Sequence, residues 1–165
     1  MEEAKVNIPD NVANEEIIDR ILYEPSFFCE GRLGPSAFAL TKDRETYISV
    51  FRNGYYNLND VKLPNPRTPG DTAAGIAQLI VEDVRAISSP ISANELSVTV
   101  EAQKTKRFPF HAGIFTKVDN VPIVGGKNHT TPLFMFVQKE LVSRSSVTLF
   151  SEAKPDTEET GQQSS

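Results

Sequence analysis

Cysteine occurs once in this 165-residue chain, at Cys29, so no intrachain disulfide can form. A lone cysteine fits a reducing compartment. Histidine occurs twice, at His111 and His129. A zinc site takes three or four ligands of the Cys/His/Asp/Glu type, and no paired spacing such as H-x3-H supplies them, so no metal is expected. No apolar run approaches the roughly 20 residues needed to cross a bilayer. The acidic opening Met1-Glu2-Glu3-Ala4-Lys5 has no apolar stretch of the secretory type. The expected location is therefore cytoplasmic, with no membrane association.

An excess of cations is also missing. Residues 1–20 hold six acids against two bases, and residues 152–165 hold four against one. Of the total charge of −5, the stretch 21–151 is left at +2. A near-neutral body argues against an extended nucleic-acid footprint, though not against a local basic patch. The apolar share of 39% is low for a compact domain, and polar ends diluting an ordinary centre explain it. The reading is a single globular domain over 14–150, with flexible acidic ends at 1–13 and 151–165. A domain of that size buries a core without metal or crosslink.

What is present reads as α+β. Asn14 is placed to cap a short helix, with Ile17, Ile18, Ile21 and Leu22 on one face and Pro25 ending it. Ala37–Leu40 and Tyr47–Phe51 read as a hairpin closed by the charged stretch 42–45, with Asn53-Gly54 as the next turn. Three prolines and a glycine make 62–71 a surface loop. Residues 76–81 lean to a strand followed by a helical turn at 82–86. Strands are expected at 95–100 and 112–118, with 121–124 pairing back across Asp119-Asn120. Thr130 or Thr131 caps a helix entered at Pro132, with Leu133, Phe136, Val137, Glu140 and Leu141 inward. Residues 147–150 form a last strand. The fold expected is one mixed or antiparallel sheet with two or three helices.

Motifs that carry chemistry are few. His129-Thr130-Thr131 fits one H-x-[ST] unit of a two-histidine phosphoesterase, but His111-Ala112-Gly113 does not supply the second. Gly125-Gly126-Lys127 is no phosphate loop, because Asn128 follows the lysine. Asn128-His129-Thr130 matches a glycosylation sequon by chance. Ser36 lacks a nucleophile elbow, and Cys29 beside two phenylalanines reads as an inert thiol.

His111 is the stronger histidine. It opens an expected strand, where functional groups often sit. The competing reading is a structural hydrogen bond to a neighbouring loop. Lys104, Lys106 and Arg107 beside Phe108 and Phe110 form the basic–aromatic cluster of the chain. Such a mix can stack bases and hold phosphates. The competing reading is a solvated loop whose phenylalanines enter the core, and three charges favour it. Gly31-Arg32-Leu33-Gly34-Pro35-Ser36 can present a guanidinium and backbone N–H groups to an anion. Ordinary turn chemistry is the alternative there.

Three segments, taken in order, resemble a group of small uncharacterised bacterial proteins. They are Ile21-Leu22-Tyr23, then Gly31-Arg32 with Ser36-Ala37-Phe38, then Pro109-Phe110-His111-Ala112-Gly113-Ile114. The group's pattern is L-Y-R, G-R-x-S-S-x-A-F, L-S-V and P-x-H-A-x-I, with Ile48-Ser49-Val50 as the third piece. Here Glu24 stands where the group has arginine, and Gly34-Pro35 where it has a serine. The resemblance implies no activity. It does mark Arg32, Ser36 and His111 as one candidate cluster.

Two functions follow as expectations. The first is an accessory protein that binds a protein partner through loops. The second is a small enzyme or binder acting on RNA or a nucleotide. Its candidate residues are His111 as acid or base and Arg32, Ser36, Lys106 and Arg107 as binding groups. Neither needs a cofactor.

Overall fold

The computed structural model describes residues 7–24, 28, 29, 32–40, 44–60, 72–90, 93–126 and 131–150. The expected loop at 62–71, Gly31, the 127–130 segment with His129, and the C-terminal stretch from 151 lie outside the described residues.

The chain is α+β. Its strands are β1 (Ile17–Glu24), β2 (Phe28–Cys29), β3 (Arg32–Leu33), β4 (Ile48–Arg52), β5 (Thr72–Ile80), β6 (Leu96–Ala102), β7 (His111–Val118), β8 (Val121–Pro122) and β9 (Ser146–Leu149). Among the described residues, two α-helices, α1 (Val81–Arg85) and α2 (Pro132–Arg144), and 3-10 turns at Pro35–Phe38 and Leu58–Asp60 complete the frame. Seven strands form one sheet in the order β6-β7-β4-β1-β5-β9, with β8 paired to β7. All of its pairings are antiparallel.

Several elements stand where the sequence puts them. A strand running straight into a helical turn is seen at β5 and α1. The first N–H groups of α1 donate to the carbonyls of Glu16 and Asn14 at 2.9 and 3.0 Å, so the helix start is satisfied without a side-chain cap. Asp119 and Asn120 both have positive φ, 50° and 69°, which gives β7 and β8 a tight two-residue turn with the sheet's own twist. Thr131 caps α2 by accepting from the Phe134 N–H, and Pro132 takes the first helical position.

Three expectations are corrected. Residues 17–24 form no helix but the strand β1, flanked by β4 and β5. Ile18 and Leu22 are buried on one face, and Asp19 and Ile21 on the other. Burial on both faces erases the alternation that marks a strand. Asn14 accordingly caps nothing of its own, and its Oδ1 accepts from Arg85 at 2.6 Å. The hairpin over 36–51 does not form. Both edges of β4 are taken, by β1 and β7, and Pro35 instead starts a 3-10 turn that buries Ala37 and Phe38. On α2, the buried residues are Phe134, Val137, Gln138 and Leu141, a rotation from the expected face. Glu140 pairs with Arg144 on the outer side.

The two faces of the sheet differ. One packs on α1, α2 and the 3-10 turn through Ile18, Leu22, Val50, Leu79, Ile114, Phe134 and Leu141. Fully burying side chains of this size is worth about 2 kcal/mol each, so this layer holds most of the core. The other face carries a smaller aromatic cluster: Ile21, Ile76, Phe110 and Phe150 with Phe51, Tyr56 and Phe108. Residues 8–13 are anchored beside it. Arg52, fully buried, forks onto both oxygens of Glu16 at 2.9 and 2.8 Å and donates to the carbonyls of Pro9 and Asn11. Burial would raise the Glu16 carboxyl, but Arg52 and the Ala13 N–H outweigh it and hold it low.

Candidate functional site

The second face is where the titratable and aromatic side chains gather. Register explains which residues meet there. Phe51 on β4 lies opposite His111 on β7, and Ser49 lies opposite Gly113. Side chains alternate across a strand, so Tyr47, Ser49 and Phe51 share this face with His111, Gly113 and Phe115. Rings touch along the whole row. Tyr47 packs on Phe115 and His111 with centroids 5.1 and 5.8 Å apart. Phe51 packs on His111 at 5.7 Å and on Phe108 at 5.4 Å. Arg107 closes the strip, its guanidinium carbon 5.0 Å from the Phe108 ring centre. A cation over an aromatic face is held by the ring quadrupole.

Gly113 makes room in this strip for the Tyr47 ring. A Cβ there would lie 2.5 Å from the Tyr47 ring, so the ring rests on bare backbone. Ser49, opposite the glycine, meets no side chain across the pair. Its Oγ instead reaches His111 Nε2 at 2.5 Å. The other ring nitrogen, Nδ1, lies 3.0 Å from the Gln103 carbonyl oxygen. A carbonyl can only accept, so Nδ1 carries the proton and Nε2 is left to accept from the Ser49 hydroxyl. Burial pushes His111 below the ordinary imidazole value. The Gln103 bond opposes that shift, and the Arg20 charge adds to it. The imidazole is therefore neutral at pH 7, with Nε2 basic.

Arg20 fills a gap in the sheet. β1 and β4 are in register only at Ile18–Arg52 and Asp19–Phe51. Beyond that point the guanidinium donates to the Ser49 carbonyl at 2.8 Å and to the Ala37 carbonyl at 2.7 Å. It ties β4 to the 3-10 turn. Asp19, on the aromatic side, is fully buried. It accepts from Tyr56 at 2.5 Å, Asn53 at 2.9 Å and Gln78 at 3.3 Å. Burial raises its carboxyl above the ordinary value, and the three donors only partly offset this.

The candidate residues separate under this geometry. His111 and Arg107 stand on one strip, joined through Phe51 and Phe108. Lys106 is exposed beside Arg107. Lys104 is engaged elsewhere, with the Asp10 carboxylate at 2.8 Å and the Ile8 carbonyl at 2.9 Å. Phe110 is core, as the competing reading held, whereas Phe108 is half-buried. Ser36 is an exposed member of the 3-10 turn, linked towards His111 by way of Ala37, Arg20 and Ser49. Arg32 is exposed on β3, and no contact brings it to His111. Ser49 and Gly113 stand in segments that carry the resemblance, but neither they nor Arg20 are candidate site residues in the sequence. Only the pairing of β4 with β7 brings them to the histidine.

A separate cleft of about 440 Å³ lies between β8 and the start of α2, lined by Val118, Val121, Ile123, Pro132 and Leu133 with Asn94 and Thr131. Among the described residues no titratable side chain lines it. Among the described residues no group of three or more His, Cys, Asp or Glu gathers as a metal site, and no helix is long and apolar enough to cross a membrane. No protein-family model, curated protein or solved structure matches the chain.

Proposed function

We propose that this chain is a small enzyme acting on a nucleotide or short RNA, with His111 as the general base. The observation that carries the reading is the continuous strip Arg107–Phe108–Phe51–His111–Tyr47. In this row, which begins at a cation, a neutral imidazole lies between the rings of Phe51 and Tyr47. Half-buried rings offer faces on which bases stack without sequence preference. Arg107 and Lys106 supply charge for phosphate at one end of the strip. Two cations make few phosphate contacts, so a mononucleotide or a few nucleotides fit better than a long polymer.

The test is cleavage and binding of a short fluorescent oligoribonucleotide. His111→Ala is expected to slow cleavage by about 100- to 10,000-fold, the usual worth of a positioned acid–base group. Arg107→Ala is expected to weaken binding and to reduce its salt dependence by about one ion. Cleavage by His111→Ala at the wild-type rate contradicts the assignment.

A second reading, a protein-binding accessory role, has its own observation. β9 ends the sheet, its four residues carry no charge, and Val147 and Leu149 are 40% and 46% exposed. An uncharged edge strand is a template for another strand. Its support would be capture of a partner from native lysate by the wild type, lost on Val147→Lys.

A further inference from the structure

We infer that Ser49 is a nucleophile, and that the Ser49–His111 pair transfers a phosphoryl group through a covalent serine intermediate. The inference rests on His111 acting as a base, as proposed above, and adds the group that it activates.

Three features of the Ser49–His111 pair argue for it. The first is direction. The Gln103 carbonyl accepts from the Nδ1–H, so the Ser49 hydroxyl must donate to Nε2, and its lone pairs face away from the ring. Nucleophile, base and an orienting acceptor stand in a line, the arrangement that activates a serine. The orienting acceptor here is a backbone carbonyl, which fixes the tautomer without adding charge. The second is access. Ser49 and His111 are both only half-buried on the aromatic face. The third is charge. Arg20 is bound to the Ser49 backbone carbonyl, and its field is felt at His111. A cation fixed at the Ser49 backbone adds a positive field that favours the negative charge building on an attacked phosphoryl group.

The step balances within the pair and the substrate. Ser49 Oγ forms a bond to phosphorus while its proton passes to His111 Nε2. The bond from phosphorus to the leaving alcohol oxygen breaks, and Nε2 returns the proton to that oxygen. Water then attacks phosphorus, gives a proton to Nε2, and Ser49 Oγ leaves and takes that proton back. No oxidant or metal enters the balance.

The test uses the full chain and an alkyl fluorophosphonate. Attack by Ser49 Oγ on its phosphorus expels fluoride and leaves a stable adduct, read by intact mass and peptide mapping. One adduct is expected, on Ser49. It should be absent in Ser49→Ala and form at least about 100-fold more slowly in His111→Gln, as loss of a general base requires. Thermal melts establish that both variants fold, and the wild-type result stands by itself if either does not. No adduct on Ser49, or an adduct formed equally fast in His111→Gln, overturns the proposal. Oligoribonucleotide cleavage that needs His111 but survives in Ser49→Ala also overturns it, while leaving His111 as the base. A Ser49 adduct without any RNA or nucleotide cleavage supports the nucleophile and removes the substrate assignment.

Discussion

Asp19 shows at the scale of one residue how the aromatic face is held. Its carboxyl is fully buried and faces three neutral donors rather than a cation. Tyr56 makes the shortest of those bonds, and burial, with the carboxylate adding to it, raises the tyrosine hydroxyl far above its ordinary range. Tyr56→Phe keeps the ring stacked on Phe110 and deletes only that donor. Hydrogen bonds to charged groups are worth about 1.5–3 kcal/mol. Urea unfolding at pH 7 is expected to show a loss of that size, with an unchanged slope. Arg52 on the neighbouring strand solves the opposite problem, a buried cation, by forking onto Glu16 and two carbonyls. No hydrophobic pattern announces either residue. Both are polar positions in strands that a sequence reading assigns to solvent.

Elements differ in how far they can be read from the chain alone, and the reason is locality. The β7–β8 turn, the Thr131-Pro132 start of α2 and the passage from β5 to α1 are encoded within a few residues, and each stands as the sequence indicates. β1 is misread as a helix because it is buried on both sides. The 36–51 hairpin fails because the partners of β4 lie about thirty residues before it and sixty after it, at β1 and β7. The candidate site divides the same way. His111 is legible because histidine is rare here and opens a strand. Ser49 is not, because its link to His111 spans 62 residues and depends on register. Gly113 carries the same information in reverse: it has no side chain because the Tyr47 ring occupies that space. Gly113→Ala is expected to cost about 1–3 kcal/mol through overpacking. It should also displace Tyr47 from the strip. A thermal melt checks the first effect and the shift of the Tyr47 ring resonances checks the second.

The whole molecule is a sheet with one face committed to the core and the other to polar and aromatic groups. Acid should loosen it in a defined order. His111 has a folded pKa below its unfolded value of 6.5, so the unfolded chain takes up protons first as pH falls. Stability is then complete above pH 6.5 and declines on acidification through the folded value. Glu16 is also held low, and its contribution fades below its ordinary 4.5. Asp19 has the opposite sign, since its raised carboxyl makes the folded state bind a proton more readily. Melting temperature is expected to fall as pH drops below 6.5 in the wild type, and His111→Gln should lose that decline.

The most direct measurement is the nitrogen NMR spectrum of the His111 ring across a pH titration, assigned by difference against His111→Gln. A neutral ring at pH 7 with its proton on Nδ1, and a midpoint below 6.5, is the expected result. A proton on Nε2, or a midpoint above 6.5, contradicts the pairing with Ser49 and Gln103 on which the base assignment stands.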